Sequence, residues 1–175
     1  MTHALQRLID KEAIWECSLR YTRGLDRLDI ELFRSAYWDD AQTCHGALNG
    51  SVDDFLDWWL PMQEARECGQ HVMSNQRVEF DSDEEAHVET YFNASIKRTD
   101  SDSVEILVGR YVDRFTKRGD DWRIQTRVLI FEWQAYVDAS AMTDRLARNH
   151  KGTRHKSDIS YERPLKPRLE APVAG

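Results

Sequence analysis

The hydrophobic period of this chain changes once, after Gly69, from that of helices to that of strands. Ahead of it, Leu5, Leu8, Ile9, Ala13, Ile14, Cys17 and Tyr21 recur at helical spacing, which predicts a helix over about 4–23. Gly24 is expected to end or bend that helix. A second helix is predicted over about 30–36, with Asp29 placed to cap it. "AQTCHG" reads as a short first strand running to a turn at Asn49-Gly50. Ser51 then caps a helix that puts Phe55, Trp58, Trp59 and Met62 on one face. Beyond Gly69, "HVMSNQRVEF", "EAHVETYFNASIKR", "VEILVGRYVDRFTKR" and "DWRIQTRVLIFEWQAY" alternate with period two and read as four long strands. Gly119-Asp120-Asp121 is a hairpin signal between the last two. Helices first and strands in succession afterwards exclude a regular βαβ alternation. The expected class is α+β, with the N-terminal helices packed over one face of a curved, mixed or antiparallel sheet.

From about Asn149 the pattern ends. "HKGTRHKSDISYERPLKPRLEAPVAG" is basic and holds three of the four prolines, so residues 1–148 are expected to form the domain and 149–175 an arm. The 175 residues suffice for one domain with a full core. A formal charge of -7 argues against a nucleic-acid partner, which requires a basic face. No apolar run approaches the roughly 20 residues that cross a bilayer, and the N-terminus carries charges where a secretory signal is apolar. The expectation is a soluble, cytoplasmic protein without a membrane partner. Cys17, Cys44 and Cys68 match neither a zinc knuckle nor a CxxC pair and read as plain thiols.

Within "GLDRLD" one carboxylate does not fit its surroundings. Asp26 lies among the apolar positions Leu25, Leu28, Leu32 and Phe33, whereas Asp29 is better placed to cap the next helix. Arg127 poses the same question, because it alternates with Leu129, Phe131 and Trp133 on one strand face. An arginine there needs either a wet pocket or a carboxylate partner, and the pattern leaves both open. Among the histidines, His45 reads as a rim residue, His87 as a solvated turn residue, and His71 alone as a satisfied polar group. Their spacing makes no metal set, and no glycine-rich loop suggests a nucleotide, so neither metal nor other cofactor is expected.

The order of elements resembles the SnoaL-like branch of the NTF2-like superfamily. The likeness rests on "YTRGLDRLDIELFRSAYWDDA", "HVMSNQRVEF" and "DWRIQTRVL", over roughly residues 4–137. It is strongest to members related to scytalone dehydratase and hexachlorocyclohexane dehydrochlorinase. The resemblance implies a cone-shaped fold in which an aspartate at the end of the first helix orients a proton-abstracting histidine on the facing strand. Asp26 and His71 match those positions. Tyr21 and Arg127 match further polar contacts, Tyr21 standing where the related dehydrochlorinase holds a lysine. A subset of Trp58, Trp59, Tyr91, Tyr111 and Phe131 would then line a cavity for a small, flat apolar or aromatic molecule. The implied activity is a cofactor-independent lyase that eliminates water, halide or a hydroxymethyl group lost as formaldehyde. An isomerase or polyketide cyclase using the same pair, and a non-catalytic subunit like a dioxygenase β chain, are the other readings. The alternating Val108, Val112, Val128 and Ile130 fit an outer sheet face that the helices do not cover, which predicts a homo-oligomer, and the resemblance favours a trimer.

Overall fold

The structure, a computed structural model, describes residues 2–141 and 151–166. The expected boundary between domain and arm at 148/149 lies outside the described residues. Helix α1 runs His3–Arg27, capped by the Thr2 side chain, and is followed by α2 at Ile30–Arg34. Strands β1 (Tyr37–His45) and β2 (Leu48–Ser51) form a short hairpin, and α3 covers Val52–Trp59. After a 3-10 turn come β3 (Arg66–Phe80), β4 (Glu85–Arg98), β5 (Ser103–Arg118) and β6 (Asp121–Asp138). The six strands make one sheet in the order β2-β1-β6-β5-β4-β3. All neighbours are antiparallel except β1 and β6, which run parallel, so the sheet is mixed. The class is α+β, as the change of period predicts.

Several local expectations shift. The first turn lies at Gly46-Ala47, where Gly46 adopts a φ of 69° that favours glycine, and Asn49 and Gly50 belong to β2. Ser51 caps α3 in a full capping box with Asp54. Only part of the α3 aromatic face turns inward: Phe55 and Trp59 are buried, while Trp58 is 41% exposed. Gly24 does not end α1; the helix continues to Arg27 and stops at Leu28, which takes a left-handed conformation. The glycine serves closeness instead, because a Cβ at Gly24 would lie 2.6 Å from the Phe33 backbone of α2.

Bulges re-aim the strands. Gly109 faces Phe131 but Val108 faces Trp133, so Glu132 is an extra residue and Trp133 leaves the face shared by Arg127, Leu129 and Phe131. A second shift places Gln125 between Ile124 and Thr126, and a third places Asn75 in β3. The concave face then buries Phe92, Tyr111, Phe115 and Ile124 against Ile14, Tyr21, Leu25 and Phe33 from the helices. No helix among the described residues is long and apolar enough to cross a membrane.

Residues 151–166 do not hang free. Arg154 is buried and donates to the carbonyls of Gln63 and Arg66 and to the Gln63 side chain, and Tyr161 donates to Asp29 at 2.9 Å. This segment straps the end of α1 to the start of β3.

Gly24→Ala tests the helix contact. Alanine is a better helix former by about 1 kcal/mol, yet overpacking against a fixed backbone typically costs about 1–3 kcal/mol. The variant is expected to unfold at lower urea concentration than the wild type. An unchanged midpoint would mean that α2 yields without cost.

Candidate active site

Asp26 lies on the last turn of α1 and His71 near the start of β3, the edge strand along which α1 packs. Asp26 Oδ1 is 2.7 Å from His71 Nδ1, and Asp26 Oδ2 accepts from the His71 main-chain N–H at 2.9 Å. One carboxylate therefore grips one residue twice, fixing both ring and backbone. With Asp26 as acceptor, Nδ1 carries the proton and Nε2 keeps its lone pair, the form suited to taking a proton. His71 Nε2 makes no hydrogen bond among the described residues. Both side chains are 14% exposed. They border a cavity of about 440 Å³ on the flank of α1, whose other walls include Leu19, Thr22, Leu32 and the arginines Arg20, Arg23 and Arg27.

Tyr21 and Arg127 lie elsewhere. Five residues separate Tyr21 from Asp26, which turns them roughly 140° apart around the helix at 3.6 residues per turn. Asp26 therefore meets β3 while Tyr21 enters the core beneath β5 and β6. Arg127 is fully buried, paired twice with Asp113 at 2.8 and 2.7 Å. Its guanidinium stands 4.0 Å from the Tyr21 ring centroid and 4.1 Å from that of Tyr111. Burial alone would lower the Arg127 pKa, but the Asp113 charge more than reverses this and holds it raised. Neither Tyr21 nor Arg127 contacts Asp26 or His71 among the described residues. They form a closed polar cluster inside the cone, and neither borders the cavity at the dyad.

The aromatic set divides as well. Trp59 and Tyr111 are core residues, whereas Trp58, Tyr91 and Phe131 are each 41–51% exposed. Tyr91 points away from the concave face because its neighbours Thr90 and Phe92 point inward, a consequence of the two-residue strand period. None of the five lines the cavity at His71.

The sequence gives no warning about His45. It is not a rim residue but is 8% exposed, its ring 4.5 Å from that of Phe55, and Nε2 is buried without a hydrogen bond. Burial, assisted by the Arg127 charge, pushes its pKa down to about 3. Among the described residues one group could hold a cation: Asp81, Glu85 and His87 at the β3–β4 turn. His87 is already bonded to Asp81 and Glu85 to Arg114.

A sequence model of the SnoaL-like domain matches residues 6–128. No curated protein sequence matches the chain. Among solved structures, a scytalone dehydratase-like protein of Novosphingobium aromaticivorans superposes with a TM-score of 0.70 at 20% identity, covering 80% of this chain and 94% of the other. The hexachlorocyclohexane dehydrochlorinase LinA-type3 of Novosphingobium barchaimii gives 0.72 at 17%, covering 80% and 98%. A protein described as the β subunit of an aromatic-ring-hydroxylating dioxygenase from Novosphingobium aromaticivorans gives 0.60 at 19%, covering 73% and 92%. At these identities the likeness is one of fold.

The His45 environment has a sign that can be checked. Its folded-state pKa of about 3 lies below the unfolded reference of ~6.5, so the unfolded chain binds the extra proton between those values. Stability from this residue is full above the upper value and declines as pH falls toward the lower. His45→Leu is expected to lose less stability than the wild type between pH 7 and pH 4.5 in urea titrations. Parallel loss in both proteins would mean that His45 is not buried neutral.

Proposed function

The chain belongs to the SnoaL-like family, and on that premise we propose that it is a cofactor-independent lyase in which His71 is the general base. His71 Nε2 takes a proton from an acidic C–H or O–H of a small, apolar or aromatic substrate. From a C–H, the pair left behind forms a C=C bond as halide departs, or as hydroxide departs, takes the proton back from His71 and leaves as water. From a hydroxymethyl O–H, the oxygen pair forms the C=O of formaldehyde and the C–C bond breaks. The remaining carbon keeps its pair and takes the proton back from His71. Asp26 holds the ring and balances the imidazolium once it forms. What supports the reading is the double grip of Asp26 on His71, at 2.7 and 2.9 Å, with both residues at the wall of a cavity. An isomerase or cyclase would use the same pair and differ only in where the proton returns. A non-catalytic role, suggested by the likeness to a dioxygenase β subunit, gives that contact nothing to do. Tyr21 and Arg127 are assigned to the scaffold, since Asp113 already takes up the Arg127 charge.

General-base catalysis contributes about 10²–10⁴-fold in rate. Against a panel of small aromatic alcohols, diols and halides, His71→Ala is expected to lose turnover by about that factor while keeping its circular dichroism. The wild type is expected to work after exhaustive chelation and without added nucleotide. Unchanged activity in the alanine variant defeats the mechanism. Loss on chelation that one metal restores redirects attention to the group at His87.

We further propose that the chain is a homo-oligomer, with a trimer favoured. On the convex face Val112 stands directly opposite Val128, and Tyr91 and Ile130 flank Arg110 on either side. Arg110 is neutralised by Glu89 and Glu132, which leaves an apolar face with little free charge. Light scattering at micromolar concentration is expected to give about three times the chain mass of 20.5 kDa. A monomer mass removes this proposal.

A further inference from the structure

The cavity beside His71 has a chemistry that the dyad does not require. Arg20, Arg23 and Arg27 all border it. At 3.6 residues per turn their spacing places them within roughly 60° of one another around α1. Leu19 and Leu32 supply apolar wall in the same space. A groove that needed only to admit a neutral ring would not gather three guanidinium groups around its base.

Four carboxylates lie close by, and those of Asp26, Asp121 and Asp158 are engaged elsewhere. Asp26 accepts twice from His71. Asp121 is bound by Arg123 at 2.7 Å and reaches Arg20 only at 3.9 Å. Asp158 accepts from the Thr153 amide and from the amide and hydroxyl of Ser160, and stands 3.9 Å from Arg27. Glu16 lies at the same cavity without an ion pair to any of the three. The Nε groups of Arg20 and Arg27 are buried without a hydrogen-bond partner. Arg20 otherwise approaches only the Cys17 thiol. Arg23 donates to Ser160 at 3.0 Å and lies over the Tyr161 ring. Neither the Arg20 nor the Arg27 guanidinium makes a short ion pair, so both side chains, about a third exposed at this cavity, keep charge free for an anion.

We propose that the substrate of the His71 site is a carboxylic acid, with its carboxylate held by Arg20, Arg23 and Arg27 and its ring against Leu19 and Leu32. This deepens the lyase reading and rests on it. The planar fork of arginine matches a carboxylate bidentately. About 440 Å³ accommodates a single ring with a short side chain. Anchoring the carboxylate holds the rest of the molecule in the space that His71 borders.

Calorimetric titration of the full chain with 4-hydroxybenzoate, 4-hydroxybenzamide and phenyl phosphate tests this. The acid is expected to bind at least about 10-fold more tightly than its neutral amide, as a charge-assisted hydrogen bond implies. That preference is expected to weaken with added salt and to vanish in the double variant Arg20→Gln, Arg23→Gln, checked for fold by circular dichroism. His71→Gln is expected to retain acid binding while losing turnover. Failure of the base assignment alone would therefore appear as retained turnover with retained acid preference. Equal affinity for acid and amide, no binding of the acid at millimolar concentration, tighter binding of phenyl phosphate, or an unchanged preference in the double variant each overturns the carboxylate assignment.

Discussion

Arg127 and Asp113 are opposite charges with no exposure to solvent, and the geometry of the cone follows from how they are housed. A buried pair is tolerated only where close contacts offset the loss of water around both charges. Asp113 takes two bonds from the guanidinium, and the flat faces of the cation are covered by Tyr21 and Tyr111 at 4.0 and 4.1 Å. Such cation–π contacts strengthen when desolvated. Tyr111 comes from β5 and Tyr21 from α1, so the pair determines where the 25-residue helix must lie on the sheet. Once Tyr21 is seated, helical geometry delivers Asp26 to β3 about 7 Å further along the axis. The scaffold charge pair thus aims the dyad without touching it.

This arrangement separates stability from chemistry around one helix. The inward face of α1, with Ile14, Cys17, Tyr21 and Leu25, is core. The flank carries Asp26 and the three arginines that border the cavity. Substitutions on the flank can therefore change what binds without unmaking the cone. Across the floor, His45 Nε2, Thr43 Oγ1, Tyr37 Oη and one Arg127 nitrogen are buried without partners. The β1–β6 end of the interior is consequently polar as well as aromatic.

Much of this was legible in the sequence, and the limits have physical causes. The change of period after Gly69 marked the strands, because alternation is enforced by burial on one face. Asp29 and Ser51 were readable as caps because capping is local, and both are caps here. The Asp26–His71 contact came through resemblance, since nothing local links residues 45 positions apart. The face of Trp133 was misread because a bulge at Glu132 inverts strand parity and leaves no signature in the side chains. Gly24 by itself predicts an end or a bend because glycine does end helices, but its value here depends on the approach of Phe33, a tertiary fact. His45 looked like an edge residue because β1 looked like an edge. Pairing of β1 with both β2 and β6 places it inside the sheet.

An anionic ligand and a chain of formal charge -7 are not in conflict. At physiological ionic strength charges are screened beyond about 8 Å, so a small ligand responds to the groove and not to the sum. A nucleic-acid partner, whose many phosphates must meet a continuous basic surface, makes a different demand. Three guanidinium groups on a short arc of one helix meet no such demand, but they suffice for a single carboxylate. The strap sharpens the effect. Asp158 turns its oxygens back onto Thr153 and Ser160 of its own segment, so residues 151–166 bring a carboxylate near Arg27 without occupying its donors. The same segment covers Arg23 with Tyr161 and seats Arg154 where the Asp26 charge acts on it. Covered on that side by Tyr161, Arg23 acts through a lower dielectric, in which its attraction for a carboxylate is stronger.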